Sequence, residues 1–161
     1  MNNENEIIKP VSIDEDLIGH KSIYFSVDGD PFAKQRPRAA RKGRFITIYT
    51  PRETKEYEKK VSDCYKRVYK DQPLLTGALT AKVEAIFAPP KSVSKKQKEL
   101  LESGDVPHLK KPDCDNIGKV CLDALNGIVY EDDAIIDELI IRKRYGKNAK
   151  VNITIIEKKG T

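Results

Sequence analysis

The chain has 161 residues, 39% hydrophobic and 34% charged, which suits one compact domain with a heavily ionised surface and excludes two large cores. Its formal net charge of +5 favours a polyanionic partner such as a nucleic acid, although simple solubility would explain the same number. Three cysteines without C-x-x-C spacing argue against a disulfide framework or a structural zinc site, and no apolar run reaches membrane-spanning length. We therefore expect a cytoplasmic protein.

Residues 1–20 are polar and show no sustained periodicity, so we expect a flexible N-terminal arm before one domain over residues 21–161. Alternating apolar residues then predict a strand with one buried face, which ends at the turn over residues 28–31. The alternating residues are Ile23, Phe25 and Val27.

A basic segment follows, with six basic residues and no acid between Lys34 and Arg44. Pro37 and Gly43 predict an irregular loop here. Such a loop could grip DNA phosphates, or it could be a solvated loop without a partner. The predicted DNA-contacting residues of the chain are Lys34, Arg36, Arg38, Arg41, Lys42, Arg44, Lys110 and Lys111.

Strand and helix patterns alternate through the middle of the chain. Residues 45–49 predict a short strand, and Thr50 to Glu53 predict a helix start with proline at the first position and a capping box. The apolar stripe of this helix should end near residues 71–73. Residues 79–87 alternate cleanly and predict another core strand.

The last third of the chain predicts two helices and two strands. A Lys-rich segment from Ser94 to Glu102 is typical of a short helix, and helical spacing from Ile117 to Leu125 predicts a second one that stops at Gly127. The β-branched runs 135–144 and 151–157, joined by a Gly-Lys-Asn turn, predict a hairpin. The element order predicts a single α+β domain, with a mixed β-sheet and helices packed on it.

Acidic residues concentrate between residues 113 and 133 of a chain that is otherwise basic. Carboxylates held close together repel one another unless a cation neutralises them, and oxygen ligands select Mg²⁺, with Mn²⁺ as a substitute. Alternatively, Asp115 could only cap the following helix, and residues 131–133 could form a solvated turn. Lys119 could orient water, hold a phosphate or stabilise transition-state charge, or it could pair with a neighbouring acid as a solvated helix residue.

The spacing of these acids resembles the RusA family of Holliday junction resolvases, found in phages and prophages. The family signature D-x-D-N-[LI]-x-K corresponds to residues 113–119, a D-A-L triplet to residues 123–125 and a D-D pair to residues 132–133. Upstream matches at Gly29-Asp30-Pro31, Arg36-Pro37-Arg38 and Tyr49-Thr50-Pro51 extend the resemblance over about residues 23 to 157. In one departure, Pro112 stands where some members carry arginine.

By this resemblance, Asp113, Asp115 and Asp133 are expected to be metal-binding catalytic acids, Asp132 a secondary metal ligand, and Lys119 the catalytic lysine. The resemblance also implies a homodimer that makes paired, symmetric nicks in a four-way DNA junction during recombination or repair. Two alternatives stay open: a nuclease that cuts branched DNA more broadly, and a DNA-binding module without catalysis.

The remaining aromatic and imidazole side chains offer little chemistry. His20 and His108 lie outside any nucleophile-like context and are expected to be ordinary surface or loop residues. Tyr130, beside the acidic turn, is the one tyrosine that could stack on a DNA base.

Overall fold

The computed structural model describes residues 21–160, so the predicted arm over residues 1–20 lies outside the described residues. Within them, a 3₁₀ turn at Asp133–Ile135 precedes the last two strands. The elements, in order, are β1 (Lys21–Asp28), β2 (Arg38–Lys42), β3 (Phe45–Tyr49), α1 (Arg52–Val68), β4 (Leu79–Phe87), α2 (Lys95–Glu102), α3 (Cys114–Asp123), β5 (Ile136–Tyr145) and β6 (Lys150–Glu157). The predicted single domain with a mixed α+β architecture is confirmed.

Four strands form the main sheet in the order β1-β6-β4-β5. β6 lies antiparallel to both β1 and β4, whereas β4 and β5 are parallel. The predicted hairpin of β5 and β6 is therefore wrong, because β4 separates them. β4 is buried or half-buried along its whole length, which suits a central strand. The turn after β5 crosses the end of β4, where the Gly146 amide donates a hydrogen bond to the Phe87 carbonyl at 3.0 Å.

β2 and β3 form a separate antiparallel hairpin, in which Arg38 pairs with Tyr49 and Lys42 with Phe45. The predicted irregular loop is therefore wrong for Arg38–Lys42. Gly43, with φ of +64°, supplies the tight hairpin turn and does not interrupt regular structure. Every residue of both strands is exposed. The hairpin thus stands away from the core.

The three predicted helices are present, but α3 ends at Asp123, before the predicted stop at Gly127. α1 starts after Pro51, whose N-cap position carries no side-chain hydrogen bond, so the predicted capping box is wrong. α1 also ends at Val68, before the predicted stop near residues 71–73. α2 matches its prediction, with the Ser94 hydroxyl accepting a hydrogen bond from the Gln97 amide at 3.3 Å. No helix within residues 21–160 is both long and apolar enough to cross a membrane.

The core lies between the main sheet and the helices α1 and α3. The predicted apolar face of β1 is buried against α1, whose Val61 and Tyr65 belong to the same core. α3 packs on β4 and β5. Gly118 permits this close approach, because a Cβ at that position would overlap Cδ1 of Ile141. α3 therefore packs closely on the parallel strands β4 and β5.

Polar side chains link all four strands on the other face of the sheet. The Ser26 hydroxyl donates a hydrogen bond to Asn152 at 2.7 Å, and the Asn152 amide donates one to Glu84 at 3.2 Å. Arg144 Nε completes the chain by donating to Glu84 at 2.7 Å. Although burial raises the pKa of Glu84, these hydrogen bonds from Arg144 and Asn152 leave it below its ordinary value.

His108 lies in a loop, as one form of the prediction has it, but its side chain is buried against aromatic rings and is not at the surface. His20 lies outside the described residues. The His108 ring stacks on Phe87 with centroids 3.8 Å apart. The His108 amide donates a hydrogen bond to the Lys143 carbonyl at 3.2 Å, and the Tyr145 amide donates one to the Val106 carbonyl at 2.9 Å. This short segment therefore covers the end of β5.

Candidate active site

The start of α3 presents the acidic motif at the surface. Asp113 occupies the N-cap position, Asp115 lies in the first helical turn, and both are exposed. The interpretation of Asp115 as the cap is therefore wrong, because the helix begins at Cys114. Asp113 makes no side-chain hydrogen bond to the helix amides, although capping is the usual role of aspartate at this position. Its carboxylate is directed elsewhere.

The Asp113 carboxylate accepts hydrogen bonds from Lys111 Nζ at 2.8 and 2.7 Å. This hydrogen bonding, with a smaller electrostatic contribution from Lys143, holds the pKa of Asp113 below its ordinary value. Lys143 also donates to the carbonyls of Lys110 and Pro112 at 2.6 and 2.8 Å. A lysine of β5 thereby fixes the segment that leads into α3.

Lys143 lies within a β-branched run, so the sequence alone does not indicate that it belongs to this region. The one available signal was the basic triplet Arg142-Lys143-Arg144, which directly follows the apolar run Leu139-Ile140-Ile141. Nothing in that triplet indicates which backbone carbonyls the middle residue would meet.

Lys119 lies one turn beyond Asp115 on the exposed side of α3. The interpretation that Lys119 pairs with Asp115 or Asp123 is wrong, since Lys119 forms no ion pair within residues 21–160. Asp123 instead pairs with Lys34. The Lys119 side chain is thus exposed on α3, one turn beyond Asp115.

Lys34 connects the basic segment to α3. Its ammonium contacts the Asp123 carboxylate and lies 4.0 Å from Glu58. Its backbone amide donates a hydrogen bond to the Asn116 carbonyl at 2.9 Å. Lys34 therefore begins the basic segment with its charge already balanced inside the chain.

The acidic turn is attached to the end of α3 through Tyr130. This side chain is fully buried, and its hydroxyl donates a hydrogen bond to the Leu122 carbonyl at 2.8 Å. Burial, and then the charges of Asp133 and Asp123, raise the pKa of Tyr130. The buried Tyr130 ring therefore anchors the acidic turn to the end of α3. The idea that Tyr130 stacks on DNA is wrong, because the ring is inaccessible.

The adjacent acids Asp132 and Asp133 have different surroundings. Asp132 caps the 3₁₀ turn, where its Oδ1 accepts a hydrogen bond from the Ala134 amide at 2.7 Å. Asp133 is half-buried, whereas Asp132 is exposed. The capping bond gives Asp132 a structural role that Asp133 does not share.

The carboxylates of the motif are not gathered around one point. Within residues 21–160, no three His, Cys, Asp or Glu side chains lie close enough together to hold a metal ion. The donor set nevertheless suits a hard divalent cation, because Asp113, Asp115 and Asp133 supply only oxygen ligands at or near the surface. A cation at Asp113 would take the place of the Lys111 ammonium, since both would use the same oxygens.

The β2–β3 hairpin carries half of the predicted DNA-contacting residues. Arg38, Arg41 and Lys42 lie on its first strand and Arg44 in its turn, and all are exposed. Phe45 on the second strand is 78% exposed. The hairpin therefore combines positive charge with accessible apolar surface.

Comparison with known proteins agrees with the motif and the fold. The family model for Endodeoxyribonuclease RusA matches residues 28–156, so the chain belongs to the RusA family of nucleases, which acts on branched DNA junctions. Among individual proteins, it is similar to Uncharacterized protein YqaN of Bacillus subtilis (strain 168). The two are 33% identical over 137 residues, which cover 84% of this chain and 96% of that protein.

Proposed function

We propose that this protein is a Mg²⁺-dependent endonuclease that resolves four-way DNA junctions by paired, symmetric nicks. The observation that most directly supports this is the state of Asp113, which is exposed at the N-cap of α3 and makes no capping hydrogen bond. Its oxygens accept hydrogen bonds from the exposed Lys111 ammonium, which a cation would have to displace. The place of Asp113 in the motif of a junction-cutting family suggests that a catalytic cation binds there.

Asp113, Asp115 and Asp133 would hold the ion, with Asp132 as a secondary ligand and Mn²⁺ as a substitute. When bound, the ion activates water and stabilises the charge of the leaving oxygen. Lys119, accessible one turn from Asp115, would contact the scissile phosphate and stabilise its developing charge.

The reaction is phosphodiester hydrolysis. The water oxygen forms a bond to phosphorus, the bond from phosphorus to the 3′ oxygen breaks, and a proton passes to that oxygen. The expected products carry a 5′-phosphate and a 3′-hydroxyl.

The exposed hairpin would hold the DNA backbone. Arg38, Arg41 and Lys42 can displace counterions from phosphates, so their contribution should depend strongly on salt. An isolated two-stranded hairpin is marginally stable in water. A DNA surface along it would therefore both order it and neutralise its charge.

We also infer that the active species is a homodimer, because paired, symmetric nicks require two sites related by a twofold axis. Such an enzyme would work in the bacterial cytoplasm, in recombination or repair of host or phage DNA, where junctions form.

A junction-cleavage assay tests the proposal. Purified protein is incubated with a mobile four-way junction, a fork, a flap or linear duplex, with Mg²⁺, with Mn²⁺ or with EDTA. We expect symmetric nicks in the junction only when a divalent ion is present. Comparable cutting of forks and flaps would favour the broader branched-DNA nuclease, and junction binding without cutting in either ion would favour the non-catalytic module.

The assignment of Asp113 is tested with a matched pair of variants. Asp113→Asn should abolish cleavage and leave junction binding largely intact, because the substitution keeps the side-chain shape and removes its charge. Asp105→Asn alters an exposed acid outside the motif and should leave cleavage unchanged. Full cleavage by Asp113→Asn would reject the assignment.

A further inference from the structure

The outer edge of β5 is open over five residues. β5 pairs with β4 on its inner side. On its outer side, the pairing within residues 21–160 is the short bridge between Pro107 and Arg144. The register between β4 and β5 also shifts at the start of β5, so regular pairing begins at Glu138. The open and regular part of the edge therefore runs from Glu138 to Arg142.

Between its charged ends, Glu138 and Arg142, this stretch lacks the features that normally protect a sheet edge. Leu139 is 46% exposed and Ile140 is 45% exposed. No lysine, proline or bulge interrupts the window, and an exposed apolar edge of this kind is a template for pairing with another strand. Leu139 and Ile141 face Gly118 of α3, so Ile140 lies on the opposite face of the sheet.

The backbone groups of the window also point outward at the correct positions. Lys143 and Tyr145 use their carbonyl and amide groups, respectively, to bond the segment 106–108 on the outer side. Alternate residues of a strand direct these groups the same way. The amides and carbonyls of Leu139 and Ile141 are therefore directed toward the open edge.

The sequence of the window, E-L-I-I-R, is complementary to itself when reversed. An antiparallel copy centred on Ile140 places Glu138 of each copy opposite Arg142 of the other. It also places Leu139 of each copy opposite Ile141 of the other, as pairs that exchange backbone hydrogen bonds. Centring on Leu139 would set Glu138 opposite Ile140. Centring on Ile141 would set Leu139 opposite Lys143, whose carbonyl already accepts the hydrogen bond from the His108 amide. One register alone satisfies charge, apolar contact and backbone bonding together.

We propose that two copies of this protein associate through β5, antiparallel about Ile140, so that their two four-stranded sheets become one continuous sheet. This names the contact surface of the homodimer inferred above, and it rests on the proposed function only for the number of subunits. A twofold axis perpendicular to the sheet keeps both α3 helices on one face. Both candidate sites then face the same side, where a single branched DNA could reach them.

Charge exchange between the paired positions tests this surface. Glu138→Lys and Arg142→Glu each place like charges opposite one another twice in a homodimer, so each should weaken association by about tenfold. An equimolar mixture of the two variants restores opposite charges at both contacts and should recover a dimer. Sedimentation measures the mass, and the control Lys66→Glu on α1 makes the same change in net charge as Arg142→Glu away from β5.

Cross-linking provides a second measurement. Ile140→Cys brings two thiols directly opposite each other across the twofold axis, within reach of a disulfide. Oxidation should yield a covalent dimer, whereas Ser22→Cys on the opposite sheet edge, β1, should yield none. A parent protein that stays monomeric at its highest soluble concentration overturns the proposal. A dimer that is indifferent to both charge changes and is not cross-linked through Ile140→Cys also overturns it, but leaves the homodimer and the nuclease assignment standing.

Discussion

Removal of a single hydroxyl group tests how the acidic turn is joined to α3. Tyr130→Phe deletes the hydrogen bond from the Tyr130 hydroxyl to the Leu122 carbonyl. That carbonyl still accepts a hydrogen bond from the Leu125 amide at 3.1 Å, so the substitution leaves no buried orphan acceptor. The free energy of unfolding should therefore fall by about 0.5–1.5 kcal/mol, and not by the larger penalty of an unsatisfied buried group.

Urea denaturation and thermal melting measure this change. For a chain of this size, each 1 kcal/mol corresponds to a decrease in Tm of about 2–4 °C. Tyr130→Ala, which empties a fully buried site, should cost about 3–5 kcal/mol. Tyr49→Phe alters an exposed tyrosine of the hairpin and should stay within about 0.5 kcal/mol of the parent. Equal stability of Tyr130→Phe and the parent would refute the reasoning.

Two further substitutions address the electrostatics. Glu84→Gln weakens the pair with Arg144, which is partly solvated, and should cost about 1–2 kcal/mol at neutral pH. Because folding lowers the pKa of Glu84, the ionised carboxylate stabilises the fold above its ordinary pKa of 4.5, and this stabilisation is lost as pH falls through the pKa of the folded protein. Glu84→Gln should therefore flatten the decrease in Tm at acidic pH. An unchanged dependence of Tm on pH would contradict this. Lys34→Ala should reduce the affinity for the junction, and the dependence of that affinity on salt, less than Arg38→Ala does, since the Lys34 charge is balanced by Asp123. Equal losses of affinity for the two variants, measured by titration at several salt concentrations, would contradict this.

Local patterns predicted the individual elements well. The period-two alternations of β1 and β4 and the helical spacing of α3 reflect which side of each element is buried, and that information lies within a few neighbouring residues. The strand β2 was missed because its sequence, R-A-A-R-K, has no apolar alternation. Its extended form comes from pairing with β3, which the hairpin turn at Gly43 brings alongside.

Sheet order could not be read from adjacency along the chain. β5 and β6 have the composition and short connection of a hairpin, yet β4 lies between them. A central strand is buried on both faces and paired along both edges. These are properties of the assembled sheet and not of the strand's own sequence. The alternation seen in β4 concealed this, because Thr80 and Ile86 are also buried on its second face.

The candidate site shows the same division between local and distant information. Asp113, Asp115 and Lys119 fall on one helix start, as their spacing predicts. The pairing of Asp113 with Lys111 and the role of Lys143 depend on how the segment before α3 meets β5, which spacing does not encode. Whether these carboxylates bind an ion stays a prediction.

The position of β6 has a consequence for how the protein is made. This strand is the last element of the described chain, yet it pairs on both sides, with β1 and with β4. During synthesis, β1 therefore waits without a neighbour in the main sheet until residues 150–157 have left the ribosome. Completion of the sheet is a long-range event, and until then the nascent chain exposes the unpaired apolar strand β1 and one edge of β4, which a chaperone could protect.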